Sequence, residues 1–348
     1  MRVVDQPPVG PFDGPTAAGL RSGLLRPSDS PLLSITLPVY NGEKYLPTSL
    51  GSVTEAVGAL PEARRVEVEV ILCDDYSTDR TPGLARQYAP ACAYRIIQPP
   101  EFFENRTRNW HHALSASRAP WMMMLHADDL LFPDGLPALL DACRRHLDRT
   151  RVVLIAGRHR AFTDEREPGR LQPTWRIPAQ IPGRTLRRLV LASHCSLVPF
   201  TVMRRSTYEE IGGLNDRYQL LQDWDLWIRM LGQGDLAYFP AEFGRWRTHG
   251  FSDKYAIQMA GEMLVLSREM AHLIPDMPPR RWPRLKRVHL AKARAILPDH
   301  IPSEGITWAA RAEALPSPSE ARAVMRRLRW SIRLRLLRAL LAGVAALA

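Results

Sequence analysis

Short apolar runs alternate with amphipathic stretches along the first half of the chain. Leu33–Val39, Val66–Cys73 and Trp121–Leu125 are dominated by apolar residues, which is typical of strands covered on both faces of a sheet. Within Glu43–Val57, apolar residues instead recur at helical spacing. This alternation of strands and helices predicts an α/β fold with a doubly wound, mostly parallel sheet. In such folds, ligands bind beyond the carboxyl ends of the strands.

The pattern changes in the second half of the chain. Arg158–Pro182 is rich in arginine and proline and is predicted to be irregular. Two short strands, Ala237–Phe239 and Phe243–Arg247, are expected to close the sheet. Three helical segments are predicted to follow: Tyr255–His272, Trp282–Ile296 and Ser319 to the end. We therefore expect a Pro/Gly/Ser-rich leader, a catalytic domain and a helical C-terminal region, spanning residues 1–30, 31–252 and 253–348.

Composition narrows the class of protein. With 45% hydrophobic and 24% charged residues, the 348-residue chain is expected to fold into a globular structure. The formal net charge is +11, but basic and aromatic residues do not interleave outside the C-terminal tail, which argues against a nucleic-acid-binding protein. The four cysteines form no CxxC pair, which is typical of reduced thiols and predicts a cytoplasmic location. Neither a GxGxxG nor a GxxxxGK[ST] motif occurs.

Much of the positive charge lies in the tail. Seven arginines between Arg322 and Arg338 interleave with apolar residues and Trp330, and the uncharged segment Ala339–Ala348 follows. That final segment is too short to span a bilayer. Two interpretations stay open: a basic amphipathic helix that binds the cytoplasmic face of an anionic membrane, or a helix that packs on the catalytic domain.

Polar and acidic groups follow three of the predicted strands. They are Pro38–Gly42, Asp74–Asp79 and His126–Asp129. The second group is also compatible with a simple helix-capping turn. Asp128 and Asp129 are more informative, because adjacent carboxylates that leave a buried strand repel one another and need a compensating cation. Hard divalent ions take oxygen ligands of this kind, so the sequence predicts a site for Mn²⁺ or Mg²⁺.

Five segments resemble one known family. They are "SITLPVYNGEKYLPTSLGSV", "VILCDDYSTDRT", "NWHHALSASRAPWMMMLHADDLLFPDGL", "VMRRSTYEEIGGLNDRYQLLQDWDLWIRM" and "RWRTHGFS". In this order they resemble the family 2 inverting glycosyltransferases, and the likeness covers roughly Leu33–Ser252. The resemblance implies a GT-A fold and transfer of a sugar from a nucleoside diphosphate, with UDP as the default donor nucleotide. A saccharide or a lipid-linked molecule would be the acceptor.

The resemblance also implies roles for single residues. Pro38, Tyr40 and Glu43 would border the nucleotide pocket, and Asp75 would hydrogen-bond the base. Asp223 would be the general base that takes a proton from the acceptor hydroxyl, as attack on the sugar requires.

The metal site is expected where the family has its DxD motif. Asp129 would bind the cation, Asp128 would contact the donor ribose or the cation, and His249 would be a further metal or phosphate ligand. Three positions depart from the family pattern: His126 replaces the first Asp of the motif, Gln222 replaces the usual Glu before the base, and His111 stands where relatives tend to carry Asn. The departures at His126 and Gln222 keep open an inactive nucleotide-sugar-binding protein. A nucleotidylyltransferase, which would share the sheet and the metal, is a second alternative.

The chain offers a second carboxylate close to the expected base. Asp225 lies two residues after Asp223 on a predicted helix, so the two cannot share a face. We therefore expect Asp225 to cap or pair locally. Trp224 and Trp227 are expected to pack in the core rather than to line an acceptor groove.

Overall fold

The computed structural model describes residues 31–172, 177–192, 200–249 and 253–273, together with isolated positions between 280 and 294. The predicted leader, Cys195 and the arginine-rich tail lie outside these residues. Cys73, Cys92 and Cys143 are free thiols.

Strands and helices alternate along the described residues. The strands are β1 Leu33–Val39, β2 Val68–Asp74, β3 Ala93–Ile97, β4 Trp121–Met124, β5 Leu130–Leu131, β6 Val152–Phe162, β7 Arg170–Gln172, β8 Gln180–Ile181, β9 Val202–Arg204 and β10 Asp235–Arg247. The helices are α1 Leu46–Ala59, α2 Glu62–Arg65, α3 Thr81–Gln87, α4 Arg106–Ser115, α5 Gly135–Arg145, α6 Gly183–Ala192, α7 Arg205–Glu210, α8 Gln222–Gln233 and α9 Asp253–Leu273.

One sheet organises the molecule, with the strand order β3-β2-β1-β4-β9-β6-β10-β5. The first four strands of this order are parallel, β9 runs antiparallel to both of its neighbours, and β6 and β10 are parallel. The predicted α/β fold with a mostly parallel sheet is therefore confirmed. Because β1, β2 and β4 are parallel, their carboxyl ends meet at one edge.

The buried strands and amphipathic helices follow the hydrophobic pattern. Every residue of β1 and β2 is buried, as expected for strands covered on both faces. In α1, Leu46, Leu50 and Val53 are fully buried at helical spacing, so this helix packs its apolar stripe on the sheet. The helix begins three residues later than the predicted Glu43, because Gly42 to Tyr45 form a turn instead.

Two predictions for the second half of the sheet are wrong. Arg158–Pro182 is not wholly irregular, since β6 continues to Phe162 and pairs with β7. The two predicted closing strands are one strand, β10, which continues through Pro240. The register of β10 against β6 shifts between Tyr238 and Glu242, and this bulge accommodates a proline without breaking the strand.

Helix α9 packs into the same core as α8. Ala260, Met263 and Leu266 of α9 are buried in one cluster with Trp224 and Ile228 of α8. Among the described residues, no helix is both long enough and apolar enough to cross a membrane.

Candidate active site

Two loops at the carboxyl edge of the sheet are joined by hydrogen bonds. Asn41, with a φ of 50°, accepts a hydrogen bond at Oδ1 from the Thr78 amide (2.9 Å). Its own amide donates to Ser77 Oγ (2.8 Å), and the Gly42 amide donates to Thr81 Oγ1 (2.8 Å). Asparagine tolerates the left-handed conformation better than most residues, which explains its place at this turn. The bonds fix the loop after β1 relative to the loop after β2.

Aromatic rings and a carboxylate border the cleft beside these loops. Tyr40 is 50% exposed, and its ring lies 5.1 Å from that of Phe102, which is also exposed. Asp75 is buried and accepts a hydrogen bond from the Phe103 amide (3.0 Å). Burial raises the pKa of Asp75, while the bond from Phe103 and the nearby His112 oppose this rise. Exposed rings next to a carboxylate suit a planar base that carries N–H donors.

Pro38 and Glu43 lie close to this surface but differ in their environments. Pro38 is buried in β1, opposite Cys73 of β2. The Glu43 carboxylate accepts hydrogen bonds from the backbone amide and side chain of Arg80, each at 3.2 Å. Its backbone amide donates to Asp79 (3.0 Å). These contacts give Glu43 a role in joining the loop to the start of α3.

His126, Asp128 and Asp129 form a compact cluster after β4. One candidate ligand atom from each of the three residues lies within 4.8 Å of the others, and the described residues contain no other such cluster. His126 Nδ1 is 3.6 Å from Asp129 Oδ2, and the imidazole stacks on Trp110 with the ring centroids 4.8 Å apart. Burial lowers the pKa of His126, which favours the neutral imidazole that binds metals.

The two carboxylate oxygens of Asp129 have different environments. Its Oδ1 accepts a hydrogen bond from the Arg247 amide (2.8 Å), whereas its Oδ2 is buried and has no hydrogen-bond partner among the described residues. Burial, followed by the charge of Asp128, raises the pKa of Asp129 well above its usual range. A divalent cation would satisfy the free oxygen and offset the repulsion, so the residues present fit such an ion.

The end of β10 covers the cluster. Arg247 donates from Nε to the Asp128 carbonyl (3.0 Å), and its guanidinium lies 4.6 Å from the centroid of the Tyr45 ring. His249 Nε2 is 2.6 Å from Asp128 Oδ2. The His249 ring also lies 5.8 Å from that of Tyr45. The structure thus brings the exposed imidazole of His249 to the DxD position. There it contacts Asp128, which is more accessible to solvent than Asp129.

Asp223 lies in the first turn of α8, in a pocket that also includes His126. The pocket has a volume of about 20 Å³ and is lined largely by apolar side chains, among them Trp110, Leu214 and Trp227. This volume accommodates about one water molecule, so a small group could enter but a whole sugar ring could not. Burial raises the pKa of Asp223 to about 6, although its hydrogen bond from the Trp224 amide and the charge of Arg106 oppose this rise. A carboxylate with this pKa can act as a base near neutral pH.

The neighbouring carboxylate has a different function. Asp225 is buried and forms two hydrogen bonds with Arg229, of 2.8 and 2.6 Å. Arg229 also donates to the carbonyls of Ile211 and Gly213, so the pair joins α8 to the preceding loop. The expected local pairing of Asp225 is confirmed. Removing one partner of a buried ion pair typically costs about 3–5 kcal/mol because it leaves the other charge uncompensated, so replacing Asp225 alone should destabilise the fold.

Thr201 is a residue of the pocket that carries no clear sequence signal. Thr201 Oγ1, Trp227 Nε1 and His126 Nε2 line the pocket, and each is buried without a hydrogen-bond partner in the described part of the chain. Phe102 was also missed, although its position after β3 at the same sheet edge could have indicated it. Trp224 packs in the core as expected, with Nε1 donating to the Val190 carbonyl (2.7 Å).

Proteins that are named as glycosyltransferases are similar in sequence to much of this chain. EpsE of Bacillus subtilis, named a putative glycosyltransferase, is 28% identical over 61% of this chain and 70% of its own length. A PGL/p-HBAD biosynthesis glycosyltransferase of Mycobacterium tuberculosis is 25% identical over 74% of this chain and 93% of its own.

Solved structures share the fold. S. aureus TarS (residues 1–349) superposes with a TM-score of 0.55 at 12% identity, covering 87% of this chain and 91% of the other. The mannosyltransferase PcManGT from Pyrobaculum calidifontis, solved with GDP-Man and Mn²⁺, gives a TM-score of 0.51 at 19% identity, covering 86% and 79%.

The family assignment follows from a direct match. Residues 34–212, more than half of the 348-residue chain, match the family described as glycosyl transferase family 2. The matched segment includes the loops after β1, β2 and β4, and it ends before α8. The chain is a glycosyltransferase that belongs to glycosyl transferase family 2.

Proposed function

We propose that this enzyme is an inverting, metal-assisted glycosyltransferase that uses a nucleoside diphosphate sugar, with Asp223 as the general base. The observation that carries the proposal is the position of His126, which belongs both to the carboxylate cluster and to the pocket that contains Asp223. A diphosphate bound at the cluster would therefore lie close to the base. The base and the leaving group would act on opposite faces of the same sugar.

The proposed reaction is a single displacement. The acceptor oxygen forms a bond to the anomeric carbon as its proton passes to the Asp223 carboxylate. The bond between that carbon and the diphosphate oxygen breaks on the opposite face, so the anomeric configuration inverts. Proton transfer to a positioned base of this kind contributes about 10²–10⁴-fold to the rate.

The leaving nucleoside diphosphate gains negative charge in this step. Asp129, Asp128 and His126 would hold a divalent cation, Mn²⁺ or Mg²⁺, which supplies charge stabilisation when bound. His249 lies on Asp128 and would add a further ligand for the metal or the phosphate. Support comes from the unpartnered Asp129 oxygen and from PcManGT, whose structure contains Mn²⁺.

The donor nucleotide would lie along Tyr40, Phe102 and Asp75. Glu43 and Pro38 would border this pocket through the backbone that they fix rather than through direct contact. Structural neighbours were solved with UDP-GlcNAc and with GDP-Man. We take UDP as the default.

For the acceptor, we propose a saccharide or a lipid-linked molecule of the cell envelope. The PGL/p-HBAD biosynthesis relative supports this class. We further propose that the arginine-rich tail, which lies outside the described residues, brings the enzyme to the cytoplasmic face of the membrane.

Two other functions were compatible with the sequence. A nucleotidylyltransferase does not agree with the family assignment. An inactive binding protein would not need the Asp223 carboxylate, which lines the same pocket as His126 of the carboxylate cluster. Catalysis is therefore the function that the site supports best.

A donor-hydrolysis screen tests the proposal. The full-length protein would be incubated with a panel of UDP-, GDP- and dTDP-sugars, with Mn²⁺, with Mg²⁺ or with EDTA. We expect release of nucleoside diphosphate from one donor class, loss of release in EDTA, and a loss of about 10²–10⁴-fold in Asp223→Asn. Asp141→Asn, on the exposed face of α5, is the matched control. Metal-independent turnover, or full activity in Asp223→Asn, would contradict the proposal.

A further inference from the structure

The helix that bears the base begins without a cap of its own. Leu221 occupies the N-cap position of α8 and offers no side-chain hydrogen bond to the first turn. A carboxylate from another helix binds the preceding amides instead. Glu262 of α9 accepts hydrogen bonds from the backbone amides of Gln219 (3.0 Å), Leu220 (2.8 Å) and Leu221 (2.9 Å). Three successive amides thus point at one carboxylate.

A second glutamate of α9 holds the same loop. Glu269 accepts a hydrogen bond from the Tyr218 hydroxyl (2.7 Å) and forms an ion pair with Arg217 (2.8 Å). Glu262 and Glu269 are seven residues apart, which places them on one face of the helix, two turns apart. Helix α9 therefore fixes the loop 217–221 at two points.

This loop leads directly to the proposed base. Asp223 follows Leu221 by two residues, and its Oδ1 accepts a hydrogen bond from the Trp224 amide (2.7 Å). The charged groups that act on Asp223 are Arg106 of α4 and Glu262 of α9. Arg106 donates in turn to the Gln219 carbonyl (2.6 Å), so a residue of α4 holds the same loop.

We propose that Glu262 is a positioning residue for catalysis, which sets the place and orientation of the Asp223 carboxylate by binding the three amides that precede it. The inference rests on the proposed role of Asp223 as base. It assigns part of the catalytic apparatus to α9, which lies beyond the residues that match the family. If Glu262 were removed, three backbone donors of the loop would lose their acceptor together.

Loss of the Glu262 carboxylate should lower turnover rather than donor binding. Misplacing a reacting group by about 1 Å can reduce a rate by about 10²-fold. The donor subsite at Tyr40 and Asp75 is built from other elements, so it should retain its affinity. We therefore expect Glu262→Ala to lower kcat by about 10–10²-fold with an unchanged donor KM. Glu262→Gln, which keeps the shape and one acceptor oxygen, should recover part of the loss.

A double-mutant cycle with Asp223→Asn tests this coupling. Hydrolysis of the best donor from the screen would be measured for wild type, both single variants and the double variant. Glu209→Gln, an exposed glutamate paired with Arg205, is the charge-matched control. Calorimetry with UDP and Mn²⁺ would follow donor binding. If Glu262 acts through the base, then Glu262→Ala causes no further loss once Asp223 is replaced.

The outcomes separate the claim that Glu262 positions the base from the claim that Asp223 is the base. Independent, multiplicative losses in the cycle, or UDP affinity that falls in parallel with kcat, would give Glu262 a purely structural role and overturn the inference. Should Glu262→Ala fail to fold, Glu262→Gln completes the same cycle, and wild-type turnover in that variant would also overturn it. Full turnover in Asp223→Asn alone would instead overturn the proposed function.

Discussion

At the residue scale, Asp223 and Asp225 show how environment assigns different roles to like side chains. They are two positions apart on α8 and therefore face different surroundings. Asp225 is neutralised by Arg229 in a buried ion pair, whereas Asp223 lies in a pocket where, among the residues that the structure describes, its carboxylate accepts a hydrogen bond from the Trp224 amide rather than from a cation. Burial is what raises the pKa of Asp223.

This environment predicts the pH dependence of the enzyme. Because its pKa is raised to about 6, Asp223 is mostly protonated below that pH and ionised above it. The base must be ionised to accept a proton, so kcat/KM at saturating Mn²⁺ should rise through about pH 6 to a plateau. A profile from about pH 5 to about pH 8 measures this. The residual rate of Asp223→Asn should not rise with pH in this range. If the rise were retained in that variant, the titration would belong to another group.

Not all site residues could have been predicted from the sequence. Asp129 follows the end of β4 and Asp223 lies in a segment that resembles the family, so strand pattern, resemblance and helix geometry indicated them. Thr201 and Glu262, by contrast, are functional candidates only through contacts distant in sequence. Glu262 lies about forty residues from the loop it binds, and no local pattern distinguishes it from a surface glutamate of an amphipathic helix.

At the element scale, the apolar pattern predicted most of the helices and strands up to β6. It failed at β10, which was predicted as two short strands but continues through Pro240 with a bulge. It also failed at β6, whose second half carries several polar residues and is stabilised by pairing with β7 and β10. Strand pairing of this kind depends on partners far along the chain, so local periodicity could not reveal it.

The tail is the element whose role is still a sequence-based prediction. Seven arginines with interleaved apolar residues should bind anionic vesicles, and salt should weaken the binding by screening. Deletion of residues 325–348 should abolish co-sedimentation with such vesicles and leave the melting temperature unchanged. Retained sedimentation together with a clearly lowered melting temperature would show that the segment packs on the domain instead.

At the scale of the whole molecule, the parallel sheet gathers the site at one edge. The ends of β1, β2 and β4 bring Tyr40, Asp75 and the His126–Asp129 cluster to this edge, and β10 returns with His249. Helices α8 and α9 then add the proposed base and the glutamate that holds its loop. Donor binding and acceptor activation are thus assigned to different elements, so they should be separable by mutation.

Calorimetric titration of UDP in the presence of Mn²⁺ tests this separation most directly. Wild type, Asp129→Ala and Asp223→Asn would be compared with and without EDTA, with the donor nucleotide found in the screen replacing UDP if it differs. We predict that EDTA and Asp129→Ala each abolish most of the binding, whereas Asp223→Asn binds like wild type yet turns over at least about 10²-fold more slowly. Unchanged affinity in both EDTA and Asp129→Ala would contradict the account.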